Sequence, residues 1–122
     1  MMDIVDLADP AACAHALTGG KGANLARLTQ AGFPVPRAFI VTTAAYGAVF
    51  GADLETRAAA LLRDIDFDDA ASVDAGARRI RELVTATPVP EAIAAAITGA
   101  YARMGVERYV AVRSSGTAED LA

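Results

Sequence analysis

One cysteine and one histidine are all that the 122 residues contain of either type. Cys13 has no second thiol to pair with, so no internal disulfide is expected. With His15 the sole imidazole, neither a Ser-His-Asp nor a Cys-His arrangement can be argued. Cys13 and His15 together fall short of the three or four ligands that a protein metal site needs, and His15 reads as a partly exposed helix residue. Basic side chains are also few, 11 against 15 acids for a net charge of −4. That balance disfavours nucleic acid and anionic membrane as partners, both of which call for a basic face. Long apolar runs are absent too, because Arg, Asp or Gly interrupts each one well short of the ~20 residues of a membrane span. The opening Met-Met-Asp-Ile-Val-Asp has no basic segment, so no signal peptide is expected and a cytoplasmic, reducing setting fits best.

What is present is apolar and helical. The hydrophobic fraction is 54% and the charged fraction 21%, which argues against disorder. Thirty alanines account for much of that fraction, and alanine scores as helical while burying little area, so the larger side chains are the better guide to a core. Residues 3–7 read as a short strand followed by a turn at Ala8-Asp9-Pro10. Thr18 to Gly22 reads as a glycine-rich loop entering a helix over 23–31, with Leu25 and Leu28 on one face. Gly32 is its left-handed stop and Phe33 covers its last turn. Pro34-Val35-Pro36 must be extended, and 39–41 reads as a buried strand. Thr42-Thr43 caps a helix whose apolar face is Tyr46, Val49 and Phe50. Asp53 caps a second, with Leu54, Ala58, Leu61 and Leu62 inward. Asp64 to Asp69 is an acidic linker without the glycine and closing glutamate of a calcium loop. Ser72 opens a third helix on Val73, Ala77, Ile80 and Val84. Pro90 starts a fourth on Ile93, Ile97, Ala100, Tyr101 and Met104, ending at Gly105. Residues 108–113 alternate like a strand. The class is α/β (α+β), helix-rich with a few short strands.

Two places could carry chemistry. Gly19-Gly20-Lys21-Gly22 stands at a helix start, where unpaired N–H groups and the positive end of the helix dipole favour an anion. It is no P-loop, since His15 and Gly22 stand where Gly and Ser or Thr are required. Leu25 likewise excludes the dinucleotide fingerprint. An ordinary glycine turn with a solvated lysine is the plainer alternative. Val112-Arg113-Ser114-Ser115-Gly116-Thr117 places a forked cation, three hydroxyls and a glycine at a strand end, a set suited to polyphosphate. Its plainer alternative is a helix start, with Thr117 and Asp120 as a capping box.

Taken in order, Gly19-Gly20-Lys21-Gly22-Ala23-Asn24-Leu25, Ala31-Gly32-Phe33-Pro34-Val35-Pro36, Val41-Thr42-Thr43-Ala44-Ala45-Tyr46 and Val110 to Asp120 closely resemble the N-terminal nucleotide-binding domain of the phosphoenolpyruvate synthase and pyruvate phosphate dikinase family. Rifampicin phosphotransferase shares that domain. The resemblance implies the first part of an ATP-grasp fold that binds ATP with Mg2+ and phosphorylates a relay histidine on another domain. The final acceptor would be pyruvate, or a drug hydroxyl in the phosphotransferase. It further implies that Lys21, with Gly20 and Gly22, contacts the phosphates from the glycine segment, and that Arg113 does so from the strand end. Ser114, Ser115 and Thr117 would be supporting donors. Glu119 and Asp120 match the pattern without an assigned metal, and no catalytic residue falls in this chain. The family's second lobe, with most of the adenine pocket and the magnesium ligands, has no counterpart here, nor has the phosphohistidine domain. His15 does not match the relay histidine, and Gly116 stands where alanine is frequent. Residues 1–122 are therefore expected to be a single incomplete domain whose remaining parts act in cis or in trans. The competing expectation is an interaction module that docks to a partner carrying the second lobe; a purely structural helical protein would require the two motifs to be coincidental.

Overall fold

The computed structural model describes residues 2–105 and 109–118. Two compact units divide the chain, residues 1–46 together with 91–122, and residues 47–90. Among the described residues there are five α-helices and one two-stranded sheet, in agreement with the expected α/β class.

The first unit is built on β1 (Ile4–Asp6) and β2 (Phe39–Val41), antiparallel with Val5 opposite Ile40. Both strands fall where the β-branched and aromatic residues cluster. β2 is only half-buried and Val41 faces outward, because a two-stranded sheet covers one face alone. Asp9 then caps a short 3-10 turn at Pro10–Cys13 by accepting the Ala11 N–H. The core gathers Val5, Leu7, Ala12 and Ala26, flanked by Cys13, Leu25, Val35 and Ile40. Helix α1 (His15–Gln30) presents Gly22, Ala23 and Ala26 to this interior. Leu25 packs against the core as expected, whereas Leu28, expected on the same face, is exposed: small residues let the helix backbone approach the sheet. His15 is exposed at the start of α1.

α1 stops as its sequence demands. Gly32 takes φ 88, its N–H donates to the Thr29 carbonyl, and the Phe33 N–H donates to the Leu28 carbonyl, the paired bonds of a Schellman ending. Phe33 itself is 60% exposed, so the expected cover over the last turn is not a burial. Gln30 Nε2 ties the helix end to the Leu7 and Asp9 carbonyls. Helix α5 (Glu91–Arg103) packs Ile93 and Ala100 inward, lies against β1 and ends before Gly105 at φ 117.

Thr42 precedes α2 (Thr43–Val49) and is 1% exposed. Its hydroxyl donates to the Met2 carbonyl at 2.7 Å and accepts the Ala45 N–H at 3.2 Å. The buried face of α2 is Ala45, whereas Tyr46, expected inward, is exposed. Thr42→Val keeps the shape and removes both bonds. It is expected to lower stability by about 1–2 kcal/mol, the usual cost of a lost N-cap and an unpaired carbonyl. A urea midpoint equal to that of the wild type would show that the cap contributes nothing.

In the second unit α3 (Ala52–Arg63) packs on α4 (Ala70–Thr85). Gly51 is the N-cap of α3; Asp53 lies inside the first turn and pairs loosely with Arg57 at 3.8 Å, exposed on both sides. Asp69, not Ser72, caps α4, and Ser72 Oγ accepts the Asp66 N–H. The inner stripe of α4 runs Val73, Gly76, Ala77, Ile80 and Leu83, while Val84 faces out. The acidic run is thus turn and cap chemistry. No group of three or more metal-capable side chains occurs among the described residues.

Residues 109–113 form no strand: Tyr109 and Val112 are 104% and 93% exposed. Alternation supplies the side-chain pattern of a strand, but a strand also needs a neighbouring backbone, and among the described residues no ladder bonds are made to this segment. Arg108, the first residue of that expected strand, and Glu119 and Asp120 lie outside the described residues.

Candidate functional site

The glycine segment is not the open loop that its composition suggests. Helix geometry begins at His15 and is interrupted once, at Gly19, with φ 72 and ψ 174. That region is open essentially to glycine alone. Before the break, the buried Thr18 hydroxyl donates to the Ala12 carbonyl at 2.8 Å and to the Ala14 carbonyl at 3.0 Å, fastening the first turn. After it, the helix restarts, so that Gly20, Lys21 and Gly22 form the first turn of the main stretch.

The second motif closes over this turn. Gly20 N–H donates to the Gly116 carbonyl at 2.9 Å, and Lys21 Nζ donates to the Ser114 carbonyl at 2.8 Å. Gly22 N–H donates to Ser115 Oγ at 2.9 Å, and Ser115 Oγ donates to the Thr18 carbonyl at 2.7 Å. Three successive residues of one motif therefore bond three successive residues of the other, 93 or more positions along the chain. The fit is close. A Cβ on Gly19 would lie 2.6 Å from the Ser115 carbonyl oxygen and 2.5 Å from its hydroxyl.

Of the residues expected at a phosphate site, Gly20, Lys21, Gly22, Ser114 and Ser115 are brought together. Arg113 and Thr117 flank the closure on either side of 114–116, and both are exposed. Lys21 is exposed as well, with its ammonium at the dipole-positive end of the restarted helix. The expected unpaired amides are not what a ligand meets at Gly20 and Gly22, whose N–H groups the chain itself engages. What remains outward among the described residues is cationic and hydroxyl-bearing: Lys21, Arg113, Ser114 and Thr117 are all exposed. Forked and point-charge donors beside hydroxyls suit phosphate oxygens and do not suit a metal ion.

Sequence reasoning missed Thr18 and Gly19, which shape the site without facing a ligand. The signal was the glycine doublet: one glycine suffices for close approach to an anion, and the second marks a break in a helix that has already begun. A cleft of about 170 Å3 elsewhere in the first unit is lined by Asp6, Arg37, Phe39 and Arg103 and includes neither motif. It is smaller than the roughly 300–1,000 Å3 of ordinary ligand pockets.

Residues 15–122 match the family described as pyruvate phosphate dikinase, AMP/ATP-binding domain. The chain is 44% identical over 120 residues to a rifampicin phosphotransferase of a Streptomyces species, covering 97% of this chain and 14% of that protein. It is 41% identical over 111 residues to a probable phosphoenolpyruvate synthase of Methanothermobacter thermautotrophicus, covering 86% and 16%. With the phosphoenolpyruvate synthase of Neisseria meningitidis serogroup B it shares 39% over 113 residues, covering 84% and 14%. The chain thus spans about a seventh of the length of these relatives.

Proposed function

The chain belongs to the pyruvate phosphate dikinase AMP/ATP-binding domain family, and from that premise we propose that it is the phosphate-gripping first lobe of an ATP-grasp unit in a phosphoenolpyruvate synthase-like phosphotransferase. In this reading the lobe holds the triphosphate of ATP, and a second lobe and a phosphohistidine domain, in cis or in trans, complete the reaction toward pyruvate. ATP supplies the phosphoryl group. The chain's own residues bind and orient it: Lys21 and Arg113 neutralise phosphate oxygens, and the hydroxyls of Ser114 and Thr117 add neutral donors. Fixed cations of this kind are the principal protein contribution to phosphoryl transfer, because charge on the phosphate oxygens must be held as it redistributes.

The observation that carries the reading is the 2.8 Å bond from Lys21 Nζ to the Ser114 carbonyl, which joins the two cationic motifs into one surface. Magnesium accompanying ATP would take its ligands from the second lobe. A cytoplasmic setting agrees with the single cysteine and with the absence of any helix long and apolar enough to cross a membrane among the described residues. A rifampicin phosphotransferase-like acceptor is the second reading, favoured by the match that extends over 97% of this chain.

Calorimetric titration of Mg-ATP tests the proposal. Lys21→Ala and Arg113→Ala are each expected to weaken binding about 10- to 100-fold, the worth of a charge-assisted hydrogen bond at about 1.5–3 kcal/mol. Binding that both substitutions leave intact would place the nucleotide elsewhere, and a folded wild type that binds nothing would make this chain dependent on its second lobe.

A further inference from the structure

An uninterrupted α-helix would have the Gly22 N–H donate to the Thr18 carbonyl, four residues back. Gly19, with φ 72 and ψ 174, sets a non-helical turn between those two groups. Both groups are met by one atom: Ser115 Oγ accepts from Gly22 N–H at 2.9 Å and donates to the Thr18 carbonyl at 2.7 Å. The hydroxyl is inserted into the helical ladder at its break, as a side chain or a water is at other kinks.

A serine hydroxyl has one proton. Here it is spent on Thr18, in a short bond typical of O–H···O geometry. What Ser115 has left is lone-pair density, which repels a phosphate oxygen. Its neighbour differs: Ser114 is exposed, and among the described residues its bond is made through the carbonyl, to Lys21. We propose that Ser115 is a positioning residue, not a ligand to phosphate. By bridging the broken helix it fixes segment 113–116 on the turn of α1 that follows Gly19, and so sets Lys21 and Arg113 on one surface. The bridging itself is independent of any ligand. Its consequence for phosphate recognition rests on the nucleotide-binding reading above.

The test has a ligand-free part and a ligand part, both on the 122-residue chain. In NMR amide exchange, Ser115→Ala is expected to speed exchange at Gly22 at least tenfold and to move the Lys21 15Nζ resonance. Ser114→Ala should do neither, since its carbonyl stays in place. Ser115→Thr, which keeps the hydroxyl, should restore both signals, and it also covers the case in which the alanine variant fails to fold. Unchanged Gly22 exchange in a folded Ser115→Ala chain, or no restoration by threonine, would overturn the bridging. In Mg-ATP titration, Ser115→Ala should cost about tenfold alone and clearly less in a Lys21→Ala background, where only the placement of Arg113 is left to lose. Additive losses would mean that Ser115 touches the phosphates itself and would end the positioning role. A wild type that binds no Mg-ATP, yet shows the expected exchange and Lys21 shifts, would count against the nucleotide reading while upholding the bridge.

Discussion

Gly19→Ala is expected to lower the melting temperature by about 10–15 °C and to abolish Mg-ATP binding with it. Two costs combine. Alanine at φ 72 and ψ 174 occupies a region that costs a non-glycine residue about 1–3 kcal/mol. Its Cβ would also lie 2.7 Å from the Ser115 carbonyl carbon and 2.6 Å from the carbonyl oxygen. Those are backbone atoms, which cannot rotate aside as the end of a long side chain would. The total of about 3 kcal/mol converts at roughly 4 °C per kcal/mol for a chain of this size. Relief requires segment 114–116 to move away, and the bonds to Gly20, Lys21 and Gly22 move with it. Gly32→Ala is the internal control. Gly32 also has a positive φ, 88, but nothing lies within 4 Å of its Cβ position. It should show the strain of about 1 kcal/mol alone and keep its nucleotide affinity. Equal effects at the two glycines would mean that the close approach to Ser115 carries no energy.

The second large effect lies in the other unit and has a sign that helix propensity alone would invert. Glycine inside an exposed helix is ordinarily improved by alanine, by about 0.5–1 kcal/mol. Gly76 sits in the middle of α4, but the Cδ1 and Cγ1 atoms of Ile65 occupy the space that its Cβ would take. Gly76→Ala therefore overpacks the contact and is expected to destabilise by about 1–3 kcal/mol. In an Ile65→Ala background the obstacle is gone, and the same substitution should stabilise. A denaturant series on the four chains reads the reversal directly. Stabilisation by Gly76→Ala with Ile65 in place would show that the isoleucine yields without cost.

Much of this protein was written locally in its sequence. Helix endings at Gly32 and Gly105, the strands at 4–6 and 39–41, the extended Pro34-Val35-Pro36 and the turn at Asp9-Pro10 depend on each residue's own torsional preferences and its near neighbours. Those are readable without a fold. So were the two motifs of the candidate site and the family they resemble, because residue type and order are sequence properties.

The tertiary structure decided which groups those motifs present. Whether a lysine or a serine faces outward depends on a partner 93 residues away, and no local pattern encodes where that partner's backbone will lie. The amides of Gly20 and Gly22 looked available from the sequence because their acceptors arrive only when the chain closes. Ser115 and Ser114 are chemically identical and adjacent, yet one hydroxyl is drawn into a broken helix while the other stays exposed. The alternation of Val110 and Val112 met no strand to pair with. On α1 the inner face went to Gly22, Ala23 and Ala26 with Leu25 at its margin, and Leu28 turned out, since close backbone approach outweighed side-chain size there. Sequence thus determined the conformations available to each segment; long-range hydrogen bonding and packing selected which of its atoms a ligand can reach.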